Sequence, residues 1–194
     1  MKDAPIPTRS AGADAGAMSD ASTLCVGCGL CCSGVLFSQA RAEPDEVPRL
    51  KALGLEVEQG RGERLQFRLP CPHHDDGHCG IYADRFLKCR TFRCALLKRL
   101  DEGEVGLVEA QSTVRQAKAM LARVTELDPR AAQFRFRAVQ RVEQAPAETG
   151  EAAARRGRLL IESLALDLFF DRRFRNRQAV EMEAPRLKPE GEQG

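Results

Sequence analysis

All eight cysteines of this 194-residue chain fall between Cys25 and Cys94, and none follows. Four of them form a tight run, Cys25-x2-Cys28-x2-Cys31-Cys32, and the rest are Cys71, Cys79, Cys89 and Cys94. Two intervening residues let a turn aim two thiolates at one centre, which is the spacing metal sites use. Gly27 and Gly29 suit such a turn, because glycine permits positive φ and brings backbone N–H groups close to sulfur. The pair Cys89 and Cys94, with Arg-Thr-Phe-Arg between them, also suits a shared metal. The expected metal ligands are therefore Cys25, Cys28, Cys31, Cys32, Cys71, Cys79, Cys89 and Cys94.

The N-terminal stretch MKDAPIPTRSAGADAGAMSD has no apolar core behind Lys2, so it does not read as a signal peptide. A cytoplasmic location is expected, where thiols stay reduced and clustered cysteines serve metals or redox chemistry rather than disulfides. Four thiolates around one centre carry excess negative charge, and Arg85, Lys88, Arg90 and Arg93 surround Cys89 and Cys94. The first three cysteines resemble the bacterial ferredoxin run, but the fourth here is adjacent instead of three residues further on. Neighbouring side chains point in different directions, so Cys31 and Cys32 can serve different centres. Zinc would ask for two pairs around one ion, which Cys25/Cys28 with Cys89/Cys94 could supply. An iron–sulfur cluster or iron is preferred, with zinc as the alternative. His73, His74 and His78 lie in the turn between Cys71 and Cys79; His78, beside Cys79, is the best placed of the three as a ligand.

The rest of the chain changes period. Glu43–Leu53 reads as a short helix stopped by Gly54, and Leu55–Glu58 with Arg64–Leu69 as a hairpin around Gly60 and Gly62. Asp75, Asp76 and Gly77 make a turn, and Cys79–Tyr82 reads as a third short strand. Beyond Cys94, Leu107, Ala110, Val114, Ala117, Leu121 and Val124 mark one face of an amphipathic helix. Asp128–Pro129 starts a second, with Ala132, Phe136 and Val139 on one side. Gln144–Gly150 is a break, and a third helix runs from about Glu151 to Phe174, its centre apolar on most sides and therefore expected to be buried. Arg172, Arg173, Arg175 and Arg177 are expected to be a solvated helix end. The fold class is thus α+β, mostly helical: a small loop-rich cysteine region with short strands, then a three-helix partial bundle. The expected divisions are a disordered tail over 1–22, the metal-binding region over 23–100, the helical region over 101–180 and a second tail over 181–194.

The segment CVGCGLCC, then Cys71, then CGIY-ADRFLKCRTFRC resembles the YkgJ-like CxxCxxCC family. The matching positions in the second half are Cys79, Ile81, Tyr82, Arg85, Cys89, Arg90, Phe92 and Cys94. The resemblance covers about Cys25 to Cys94 and implies chelation of zinc or iron; it fixes no reaction. Phe86 stands where that family commonly has proline, a change expected to loosen a turn without removing a ligand. Arg90, which adjoins a ligand and matches the motif, is the expected cofactor-binding residue around the metal. Flagellin lysine methylases are similar in this region, but this chain shows no recognisable S-adenosylmethionine site.

A formal net charge of +2 gives no case for nucleic-acid binding, and no apolar stretch is long enough to span a bilayer. No phosphate loop, dinucleotide fingerprint or nucleophile elbow occurs. Two main readings stand: an iron or iron–sulfur protein acting in redox or protein-modification chemistry, or a zinc-stabilised protein-interaction module without catalysis; metal delivery or storage by adjacent labile thiols is a third. A protein partner or substrate is expected in either of the first two.

Overall fold

The computed structural model describes residues 19–75, 78–140 and 149–175. The expected tails therefore lie largely outside the described residues, as do Asp76, Gly77, most of the Gln144–Gly150 break and Arg177. Among the described residues there are seven α-helices and two small antiparallel sheets, the mostly helical α+β architecture expected from the sequence.

Helix α1 spans Asp20–Cys28. Ser19 caps it, its hydroxyl accepting from the Ser22 amide, and Gly29 ends it at φ 68° in the left-handed region. Gly27 lies inside the helix, so the cluster's first half is helical rather than a glycine turn. Cys25 and Cys28 consequently share one helix face, three residues apart.

Strand β1 (Gln39–Arg41) is followed by a single-turn 3-10 helix over Pro44–Glu46 and by helix α2 (Val47–Ala52), which Gly54 terminates at φ 74°. Strands β2 (Val57–Gln59) and β3 (Leu65–Arg68) form the expected hairpin, with Val57 opposite Phe67. Gln39–Arg41, unread in the sequence, pairs with the other edge of β3, giving the order β1-β3-β2. A second ribbon pairs β4 (His74–Asp75) with β5 (His78–Cys79). The third strand thus ends at Cys79 instead of running to Tyr82, because Gly80–Asp84 turns back on itself.

Helix α3 (Leu87–Thr91) carries Cys89, and α4 (Ala95–Asp101) starts at Cys94. Helix α5 (Leu107–Leu127) buries Ala110, Val114, Ala117 and Val124, as its period predicts. Asp128 caps a 3-10 turn over Pro129–Ala132; helix α6 (Phe134–Gln140) begins only after the extended Gln133. On α6 the buried residue is Arg137, while Val139 is exposed, which reverses the expected apolar side. Helix α7 (Gly150–Arg173) is long and packs along α5. Its centre is not covered on all sides: Ile161, Leu164 and Leu168 are 70%, 47% and 46% exposed. Among the described residues no helix is long and apolar enough to cross a membrane.

Two apolar cores result. The larger joins Leu24, Leu30, Val35, Leu36 and Phe37 to Leu96, Leu97, Val114, Val124, Leu166, Phe170 and Phe174, so the cysteine loop and the helices share it. The smaller contains Ala42, Leu50, Leu55, Phe67 and Phe86. Phe86 meets the Phe67 ring at 5.9 Å and lies beneath the Arg49 guanidinium at 5.1 Å. Its φ of −59° is one that proline also adopts, so the phenylalanine keeps the turn and adds a core side chain.

Candidate metal centre

None of the eight cysteines is in a disulfide. They come from α1, the loop after it, the segment before β4, β5, α3 and the start of α4. Cys25, Cys28, Cys31, Cys32 and Cys94 line one cavity of about 50 Å³, walled by Leu24, Leu36, Leu97 and Phe174. That is several times the ~10–15 Å³ a single water needs. Cys25 is exposed, at the solvent side.

The thiols sort by their surroundings. Cys28, Cys31 and Cys94 pack against the larger core, and Cys71 and Cys89 against the smaller. Burial pushes the Cys31 thiol well above 9.0, and the neighbours that add to it most are Cys94 and Cys28. Burial pushes Cys32 up to about 12, with Cys89, Cys79 and Cys71 as its strongest thiol neighbours. Cys28 is also pushed up to about 12, by burial and then by Cys94 and Cys25. Cys89 rises to about 11 through burial and then Cys71 and Cys79. Adjacent Cys31 and Cys32 therefore face different thiols, as expected of neighbouring side chains. Cys89 and Cys94 also face different ones, unlike the shared pair that their spacing suggested. The Cys71 amide donates to the Cys32 carbonyl at 2.8 Å, which fixes the two cysteine segments to each other.

Several groups oppose the cost of a thiolate here. Backbone amides donate to sulfur at three cysteines: Leu30 to Cys28, His73 to Cys71, and Leu97 to Cys94, the last at 3.4 Å. Each such bond favours the charged sulfur. Cys94 also sits at the positive end of α4. Arg85 and Arg93 act on Cys25, Arg85 on Cys89 and Lys118 on Cys28, each favouring the thiolate. Lys118 Nζ donates to the Gly27 carbonyl at 2.9 Å. The sequence reading missed Lys118, because it lies on α5, far along the chain, with no local motif around it. Arg90 is exposed on α3. Arg85 stacks 3.7 Å over the Tyr82 ring while donating to the Tyr82 carbonyl.

The histidines differ. His73 Nε2 is 2.8 Å from the Leu53 carbonyl, and His78 has a partner too. His74 Nε2 is buried without one, and burial, then Lys118, lowers the pKa of the ring.

The donor chemistry fits a thiophilic metal: unpaired thiols, amides aimed at sulfur, and cations close by. The side chains are not drawn into a finished cage, since among the described residues no three of Cys, His, Asp and Glu converge on one ion position.

The fold and the cysteine site define a small metal-chelating domain with a helical extension. Residues 24–119 match the family described as "CxxCxxCC: putative zinc- or iron-chelating domain", and the cysteine-bearing part of the chain belongs to that family. No curated protein and no solved structure matches the chain.

Proposed function

We propose that the chain holds zinc or iron through two sets of four thiolates. Cys25, Cys28, Cys31 and Cys94 form the first set, and Cys32, Cys71, Cys79 and Cys89 the second. The observation that supports this reading is the packing of the thiols: Cys28, Cys31 and Cys94 lie against the larger core and Cys71 and Cys89 against the smaller. Among thiols, Cys31 is raised most by Cys94 and Cys28, whereas Cys32 is raised most by Cys89, Cys79 and Cys71. Cys25 joins the first set through the cavity it lines with Cys28, Cys31 and Cys94, although its thiol neighbour is Cys79. Bound as thiolates, four sulfurs suit a tetrahedral ion or an iron–sulfur centre. An ion would offset the burial, and after it the mutual repulsion, that raise the thiols of Cys28, Cys31, Cys32 and Cys89. Such a site belongs in a reducing compartment such as the cytoplasm. With iron, the centre supports redox or protein-modification chemistry on a partner protein.

A second reading has its own observation. The exposed apolar row Ile161, Leu164 and Leu168 on α7 suits a zinc-stabilised module that binds another protein through its helical part.

The test is metal and acid-labile sulfide content of protein purified without oxygen, for wild type, Cys28→Ser and Cys89→Ser. Iron with sulfide supports the redox reading, and zinc without sulfide the interaction module. Each variant should lose the metal of one set and keep the other's. Unchanged metal content in both variants would remove these cysteines from the site.

A further inference from the structure

The segment that leaves the cysteine cluster is held by the helical part, carbonyl by carbonyl. The Ser33 carbonyl accepts from Gln133 Nε2 at 3.5 Å and the Gly34 carbonyl from the Phe134 amide at 2.9 Å. The Val35 carbonyl accepts from Arg137 Nη2 at 2.6 Å, and the Leu36 carbonyl from Arg175 Nε at 3.1 Å. Four successive carbonyls, starting one residue after Cys32, thus each take a donor from beyond residue 119, where the family match ends.

The two arginines are buried and organised by one carboxylate. Asp167 on α7 is fully buried and meets Arg137 at 3.2 Å and Arg175 at 3.1 Å. Arg175 also pairs with Asp171 at 2.7 Å, and Arg137 Nη1 serves the Ala131 and Ala132 carbonyls. The Phe134 ring lies 4.5 Å from the Arg175 guanidinium. A loop needs no buried charges to stay folded, and burying this many is expensive. What the guanidiniums provide is direction: a planar fork fixes several acceptors at once, which lysine cannot do.

We propose that Arg137, Asp167 and Arg175 are positioning residues of the metal centre. They set where the Cys31–Cys32 pair leaves the site, and so how long the metal is retained. The inference rests on the metal-binding reading above. Residues of the helical extension thereby govern a site whose ligands all lie in the family domain.

The experiment uses the full chain loaded with Co²⁺, whose visible bands report thiolate ligation. Transfer to a chelator gives the release rate. The variants are Arg137→Lys, Asp167→Asn and Arg175→Lys. The last keeps a cation for Asp167 and Asp171 but loses the fork that reaches Leu36, so it remains informative if Asp167→Asn does not fold. Leu159→Ala, on α7 about two turns from Asp167, controls for simple loss of stability, with urea midpoints measured for all. We expect the three network variants to release cobalt ~10–100-fold faster, the usual range for residues that orient ligands. Their cobalt bands should change, while Leu159→Ala keeps the wild-type rate and spectrum. Wild-type release rates in Arg137→Lys and Arg175→Lys would overturn the inference alone, as would equal acceleration in Leu159→Ala. A wild-type chain that takes up no cobalt would overturn the metal-binding reading and this inference with it.

Discussion

Loading the first thiol set should release about four protons per ion, and this count tests the ligand assignment directly. Cys25, Cys28, Cys31 and Cys94 all have thiols raised above 9.0, chiefly by burial. At pH 7 each therefore carries its proton in the metal-free chain, and each must give it up to bind as thiolate. The apparent affinity should accordingly rise by roughly four decades per pH unit near neutrality. The perturbation is Zn²⁺ titration of a Cys79→Ser/Cys89→Ser chain, which removes two ligands of the second set and isolates the first. Calorimetry in buffers of different ionisation enthalpy gives the proton count as a slope. A slope near four supports the set. A slope of about two or less would mean that half of these sulfurs stay protonated, and the assignment would fall.

Three further outcomes follow from the same geometry. The metal-free chain should lose stability as pH rises, because the unfolded chain sheds thiol protons from about 9 while folded Cys28 and Cys32 hold theirs to about 12. Their contribution is whole below 9 and disappears between those values; urea midpoints at pH 7 and pH 10 should show the drop in metal-free protein and not in loaded protein. Gly34→Ala should cost ~1–3 kcal/mol. Its φ is +74°, and a Cβ there would stand 2.7 Å from Gln133 Oε1 and 3.1 Å from the Pro70 nitrogen; a midpoint within error of wild type would refute the strain. Phe86→Ala should cost ~3–5 kcal/mol by emptying the centre of the smaller core. A loss below 1 kcal/mol on denaturant unfolding, at the low end of core truncations, would show that this core contributes little.

Where pattern is local, the sequence was readable. The hairpin over 57–68, the stop at Gly54 and the buried face of α5 all follow from alternation, glycine and period. Strand β1 did not announce itself, because Gln-Ala-Arg has no alternation of its own and exists only by pairing with β3. Helix α1 was hidden by Gly27, which is a poor helix former. Arg175 was expected in a solvated helix end and is instead buried, and Arg137, also buried, carried no expectation. Nothing near them in the chain reveals that Asp167 lies between them or that the loop's carbonyls need donors. In the same way, α7 looked apolar enough to be buried, but its neighbours cover one side and leave Ile161 in solvent. For the site, the cysteine constellation was legible as spacing, whereas the packing of individual thiols on the two cores and the approach of Lys118 to the Gly27 carbonyl were not.

The two cores give the cysteines a structural logic. The smaller has five buried apolar residues over its sheet and α2, little to hold a loop-rich region. The larger takes Leu24, Leu30, Val35, Leu36 and Phe37 from the cysteine region and closes them against α4, α5 and α7. Cys31 packs on the second of these, while Cys32 is raised most, among thiols, by Cys89, Cys79 and Cys71, of which Cys71 and Cys89 pack on the first. In the proposed assignment one peptide bond would join the two centres. Metal at both sets would fix the small core to the large one at that bond, adding covalent-strength ties where apolar area is scarce. Of the next four residues of the same segment, the buried arginines hold the carbonyls of Val35 and Leu36, and Gln133 and Phe134 those of Ser33 and Gly34. A site built this way cannot be cut out at the end of its ligand motif: the geometry of its central pair is completed by side chains that come more than a hundred residues later.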